Sequence, residues 1–422
     1  MKEDFLHHVW QFKKFDLTNL KTTQGEFVQV VNAGQYLQRA GPDFFNAQLV
    51  IGGQRWAGNV EIHLKSSDWY HHSHETDTNY DNVVLHVVWE HDADVMRRNG
   101  AEIPVLELRN YVDGLLLANY QHLASAKTWI NCETELEHIS PFVMDNWKER
   151  LFFERLERKA QPMLQLAAAT NGDWEAVLFA FLSRNFGLNT NGNSFFDMAK
   201  SLPFNVVRRE SFELENLEAI LFGRSGMLGG TYEDVYPKDL QTRYEYIAHK
   251  YQLPVFIPAP ADYFRHRPDN FPTIRLAQLA AVYNTHQNLF SKIMSANTLP
   301  ELYELFNVQV QSYWLKHYRF DKESPSKRKT LSASFINLLI INTVVPVKFA
   351  YSKSIGKDIT ESLIDILQQL SPESNAIIDK FRYYKIPVQS AYDSQSLLQL
   401  KNEYCSHHRC MHCAVGLQLL KR

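Results

Sequence analysis

GPDFFNAQLVIGGQRWAGNVEIHLKSSDW, residues 41–69, contains the first strand pair that can be read from the chain. AQLVI and RWAGNVEIHL flank Gly52-Gly53, a pair suited to a two-residue hairpin turn. Side chains alternate across a strand, so Asn59, Glu61, His63 and Lys65 share one face and Val60, Ile62 and Leu64 the other. With Asp43 at the edge of the neighbouring strand, its carboxylate can meet Glu61 and His63 around one ion. Two hard oxygen donors with a backbone carbonyl and waters suit Mg²⁺ or Mn²⁺, and the imidazole tilts the choice towards Mn²⁺ or another transition ion. The alternative reading makes Asn59, Glu61, His63 and Lys65 the solvent face of an ordinary two-sided strand.

Downstream, NVVLHVVWEHD (82–92) is apolar on both faces, as expected of a central strand covered on both sides, and His86 interrupts it where a polar group needs a partner. Between these strands, SSDWYHHSHETDTNYDN is a polar, partly helical connection. Its His71, His72, His74 and Asp77 either approach the site, there to touch metal or phosphate, or decorate a loop. IPVLELRNYV (103–112) offers one more strand.

This arrangement resembles the PD-(D/E)XK nuclease superfamily, whose core places an acid after a turn, an acid-x-lysine on the next strand, then a helix and another strand. Pro42-Asp43 matches the first part and Glu61-Ile62-His63 the second, except that His63 stands where lysine is usual and Lys65 lies one same-face position further on. The resemblance implies a restriction-endonuclease-like mixed sheet of α/β or α+β class. It also implies metal held by Asp43, Glu61 and His63, and a catalytic set of Asp43, Glu61, His63 and Lys65 in which His63 or Lys65 orients water or steadies charge on phosphate. The function expected from it is a metal-dependent nuclease or phosphodiesterase acting on DNA or RNA. Two alternatives stand beside it: a nuclease-like nucleic-acid or protein-binding module without turnover, and a metalloenzyme acting on a small molecule at the His-rich loop.

At 422 residues the chain exceeds the size at which one core keeps growing. From Pro141 onward the pattern changes to a 3.6-residue period, beginning with PFVMDNWKERLFFERLERKAQPMLQLAAA, and helical blocks recur to the end. We therefore expect an α/β domain over 1–135 and a mainly helical domain over 136–422 that ends in a Cys/His tail. The 44 Lys and Arg against 47 Asp and Glu leave no global positive field, so nucleic acid would need a local patch. One candidate is YFRHRPDNFPTIRLAQLA (263–280), whose Arg265, Arg267 and Arg275 either meet phosphates or form a rigid, surface-paired turn. SYWLKHYRF (312–320) either stacks bases or fills core. MKEDFLHHVWQFKKF has none of the uninterrupted apolar character of a secretory signal, which points to the cytoplasm. FINLLIINTVVPVKFAY (335–351) is broken by Asn337, Asn342, Pro346 and Lys348 and reads as a buried helix and turn, with no membrane span expected.

In YCSHHRCMHCAVG, Cys405, Cys410 and Cys413 follow an x4, x2 spacing with His407, His408 and His412 interleaved. Three thiolates with Cys132, or with a local histidine in its place, can complete a zinc site, and with Cys132 they can hold an iron–sulfur cluster. The alternative is free buried cysteines beside a terminal helix. The one-plus-three layout is similar to that of RecB-like members of the nuclease superfamily that carry an iron–sulfur cluster, although Cys132 follows the catalytic core and the spacing of the trio differs. Together GPDF, VEIHLKSSDW, LHVVWEHD, RHRPDNFPTIRLAQLA, YWLKHY and the terminal cysteines resemble an uncharacterised bacterial family classed as a domain of unknown function, over nearly the whole chain. That resemblance implies a cytoplasmic bacterial protein.

Overall fold

The computed structural model describes residues 1–422 apart from 38–40, 126–127, 265 and 422. Along the first part of the chain run α1 (Glu3–Gln11), β1 (Val28–Asn32), β2 (Gln35–Tyr36), β3 (Phe44–Ile51), β4 (Gln54–Lys65), α2 (Asp68–His71), β5 (Val83–Glu90), β6 (Val105–Glu107), α3 (Gly114–Ser125) and α4 (Pro141–Ala169). A mainly helical region follows. Gly52 and Gly53, at φ +57° and +83°, reverse β3 into β4, the geometry that two consecutive positive-φ residues allow.

The chain divides into two units, one of Met1–Lys148, Asp379–Ile386 and Leu398–Arg422, the other of Glu149–Ile378 and Pro387–Leu397. This differs from a division at 135/136 in two ways: the boundary falls inside α4, and the cysteine tail belongs to the first unit. The tail returns because it has apolar surface to bury there. The helix Ala414–Leu420 packs on α3, the turn Cys410–His412 packs on α1, and Tyr404 meets Trp147 edge-on at 5.1 Å.

In the first unit the strands run in the order β1-β3-β4-β5-β6, with β2 also paired to β3. β1/β3 and β3/β4 are antiparallel, whereas β4/β5 and β5/β6 are parallel, because the segment between β4 and β5 crosses over through α2. The sheet is mixed, as expected. β5 lies between β4 and β6 and is buried from Val83 to Val88. Asn59, Glu61 and His63 are buried as well, at 7%, 5% and 2% exposure, so their face of β4 is covered and the solvent-face reading fails. Of IPVLELRNYV only Val105–Glu107 is strand.

Three observations about the second unit bear on function. Ala333–Ser354 is the one described helix long and apolar enough to cross a membrane, and two-thirds (67%) of its most apolar window is buried, with Leu339, Val344 and Val347 in the core. Trp314 of SYWLKHYRF is wholly buried and donates to Glu218 Oε1 at 3.0 Å, the core reading of that segment. Leu188–Lys200 is a helix despite its Asn- and Gly-rich start, because Phe195 and Met198 enter the core and outweigh local propensity.

Candidate metal centre

The β3/β4 register pairs Phe44 with Val60, which brings Asp43, the residue before β3, alongside Glu61. The backbone holds the two acids together: the Asp43 N–H donates to Glu61 Oε2 at 3.1 Å and the Ile62 N–H donates to Asp43 Oδ2 at 3.1 Å. Asn46, at φ +54°, sits in the irregularity between Phe44 and Ala47, and its N–H donates to Asn59 Oδ1 at 3.3 Å. Across β4/β5, Glu61 is in register with His86, and His63, two residues on, points to the same face.

The crossover adds the remaining donors. Asp92, just beyond β5, accepts from the Ser67 N–H at 2.9 Å and from the Ser66 and Ser67 hydroxyls at 3.1 and 2.9 Å, fixing the entry to α2. Trp69 is buried beneath α2 and donates to the Met96 carbonyl at 3.2 Å. Ser73, at φ +60°, then turns the chain so that His72 and His74 both face β4. One nitrogen each from His63, His72 and His74 lies within 4.8 Å of the others. His63 Nε2 is 3.0 Å from His72 Nδ1, and Glu61 Oε1 lies 3.5 Å from His63 Nε2 and 3.3 Å from His74 Nε2. Behind them, His63 Nδ1 meets His86 Nε2 at 2.9 Å. A proton on His63 Nδ1, donated to His86, would leave the Nε2 lone pair facing Glu61 and the other rings, the arrangement a metal ligand needs.

Burial, and then the nearby His74 and His72, lower His63 to about 3, so it is neutral at working pH. Burial and then His63 hold His86 well below its usual range, and burial lowers His74. Burial and then the Asp43 charge raise Glu61 to about 9. His7 of α1 stands 3.1 Å from Asp43 Oδ2; burial works against its charge, but the Asp43 hydrogen bond and charge outweigh burial and leave it raised. A carboxyl buried beside His63 and His74 would ionise on binding a divalent cation, and the three imidazoles favour a transition ion or zinc over Mg²⁺. Tyr80 stacks on His74 at 3.7 Å and Trp69 meets it edge-on at 5.3 Å, fixing that ring, whereas His72 reaches solvent and leaves an approach from outside.

Several residues singled out in the sequence lie elsewhere. Lys65 shares the strand face but emerges into solvent, where its ammonium sits 3.9 Å from Glu90 and 3.6 Å from Asp92. His71 is exposed beside Asp68 at 3.3 Å, and Asp77 caps the short turn Thr78–Tyr80 by accepting from the Asn79 N–H at 2.9 Å. Arg275 is turned inward in the second unit, donating to Gln278 Oε1 at 2.7 Å and Asn270 Oδ1 at 2.5 Å over the Phe335 ring, and burial lowers it to about 10. Its guanidinium is therefore used within the core instead of being presented to phosphate. Arg267 is exposed before the turn Pro268–Asn270, and Arg265 lies outside the described residues. His7 was not anticipated, because its contact with Asp43 joins segments whose spacing carries no motif. His72 was visible only as one member of the loop cluster.

No curated protein and no solved structure matches the chain. Residues 3–376 match the family described as "Protein of unknown function (DUF2851)", and with that span covering most of its length the chain belongs to this family.

Proposed function

We propose that the chain is a metal-dependent hydrolase of phosphodiester bonds in DNA or RNA, working in the cytoplasm, with its centre on β4 of a restriction-endonuclease-like sheet. The observation that carries this reading is the meeting of Asp43 and Glu61 beside His63, His72 and His74. The order of parts supports the phosphodiester assignment: an acid at the start of β3, an acid-x-His on β4, a short helix and then the parallel β5 follow the order of the nuclease core. His63, His72, His74 and Glu61 would hold a Mn²⁺ or zinc ion, Asp43 being the nearest further oxygen donor. Bound there, the metal supplies Lewis acidity and a water acidified towards neutral pH. The chain's own part is to keep His63 neutral, to orient it through His86, and to hold Asp43 by the Ile62 N–H and His7.

Cleavage by the full chain with Mn²⁺ of a panel of single-stranded, double-stranded and branched DNA and RNA tests the proposal. Cleavage that Asp43→Ala abolishes is expected, and an intact panel overturns it. The position of Lys65 beside Glu90 and Asp92 supports a second reading, a nucleic-acid or protein-binding module without turnover. Binding without cleavage, unchanged by Asp43→Ala, is its signature.

A further inference from the structure

Cys132, Cys405, Cys410 and Cys413 all belong to the first unit and line one small cavity of about 20 Å³. The sequence places Cys132 far from the trio, so their meeting is a tertiary fact. All four are free cysteines, drawn together without forming a disulfide. We propose that they form a second metal centre, a four-thiolate site for zinc or an iron–sulfur cluster that ties the C-terminal segment to the first unit.

The donor set is all sulfur. Either a local histidine or Cys132 can complete a zinc site by spacing alone, but the cavity lining contains Cys132, while His408 Nδ1 lies 3.3 Å from the side-chain Oδ1 of Asn131. Four sulfur ligands select zinc or iron–sulfur over the harder ions expected at the carboxylate–imidazole centre. The sulfurs are close enough to act on one another: Cys413 and Cys410 on Cys132, and Cys413, Cys132 and Cys410 on Cys405. Donors are already aimed at them: the Asn131 amide reaches Cys410 Sγ at 3.7 Å, and the Gly416 and Val415 N–H groups and the Trp147 side chain reach Cys413.

The cavity also explains Gly416. A Cβ there would lie 2.1 Å from the Cys410 carbonyl oxygen, so only glycine lets the terminal helix close over the ligand turn. Two further contacts hold the halves of the site in place without metal. Lys401 Nζ donates to the Trp129 carbonyl at 3.1 Å, and Trp129 packs edge-on against Phe381 at 4.9 Å. The sequence between Cys132 and Cys405 contains the whole second unit. One ion or cluster therefore clasps the chain where it leaves the first unit and where it returns, a closure whose gain grows with the length of the enclosed loop.

The test is the metal content and absorption spectrum of the full chain purified without oxygen, with Cys410→Ser, Cys132→Ser, Gly416→Ala and His408→Ala beside it. Zinc at about one per chain with no visible colour, or iron with sulfide and a brown absorption band, each supports the centre and names its occupant. Cysteine-to-serine variants should lose that metal, Gly416→Ala should retain less of it, and His408→Ala should keep it. His72→Ala should keep it too, which separates this centre from the one on β4. To keep the reading independent of any folding defect in a serine variant, Co²⁺ substitution of the wild-type chain is read as well, and thiolate-to-cobalt charge-transfer bands are expected. Folded wild-type protein with neither metal, and with no such bands after Co²⁺ addition, overturns the proposal.

Discussion

His63 Nε2 stands 3.0 Å from His72 Nδ1, bringing a buried β4 ring against one on the solvent-reaching crossover. On the far side of the ring, His63 Nδ1 is 2.9 Å from His86 Nε2, so His63 is aimed from within the sheet and completed from the crossover. This division of labour makes neighbouring residues experimentally separable.

His72→Ala should weaken Mn²⁺ or Zn²⁺ binding at this centre by more than about tenfold, the lower end of what losing even a supporting partner costs a metal site. His71→Ala should leave it unchanged, because His71 is exposed beside Asp68. Calorimetric titration of both variants in a Cys410→Ser background measures the difference. Equal affinities would place the ion elsewhere.

Asp43→Asn should abolish Mn²⁺-dependent cleavage, whereas Lys65→Met should leave the rate close to that of the wild type. The reason is geometric: Asp43 is bonded to the Ile62 N–H beside Glu61, while Lys65 lies among Glu90 and Asp92 in solvent. A Lys65→Met variant as inactive as Asp43→Asn would return Lys65 to the catalytic set.

Gly58→Ala should destabilise the first unit by about 1–3 kcal/mol, the usual cost of overpacking. A Cβ at this position would lie 2.4 Å from Val84 Cγ1 and 2.7 Å from the Asn82 carbonyl oxygen, where β4 begins to pair with β5. Denaturant unfolding followed by Trp fluorescence reads the loss, and Mn²⁺ affinity should fall with it because Asn59, Glu61 and His63 follow directly.

Glu218 gives a pH-dependent stability with a definite sign. Burial raises its pKa well above the usual carboxylate value, although Trp314 and Tyr236 both donate to it. The folded state then binds a proton that the unfolded state releases above about pH 4.5, so stability is fully present below that value and declines as pH rises, by up to about 1.4 kcal/mol per pH unit from this group. Glu218→Gln should flatten the slope, measured as the difference between wild-type and variant urea midpoints at pH 5, 6 and 7. Parallel slopes would mean that Glu218 folds ionised.

Local physics accounts for what could be read directly. Gly52-Gly53 dictates a hairpin because few other residues take two positive φ angles in succession, NVVLHVVW reads as a covered strand because both its faces are apolar, and α4 spans Pro141–Ala169 as its period requires. Alternation correctly put Glu61, His63 and Lys65 on one face, but burial along that face ends before Lys65, and no period of two encodes where a sheet meets solvent. His7 beside Asp43, His72 beside His63, Cys132 beside the terminal trio and Arg275 inside its own core are decided by tertiary packing. Each of these depends on where a distant segment, or the end of a crossover, finds apolar surface to bury. The sequence by itself determined which elements form and which chemistry they carry. The tertiary structure alone decided which of those groups meet, because contact between distant segments is set by the summed burial of the whole unit and not by the residues that come into contact.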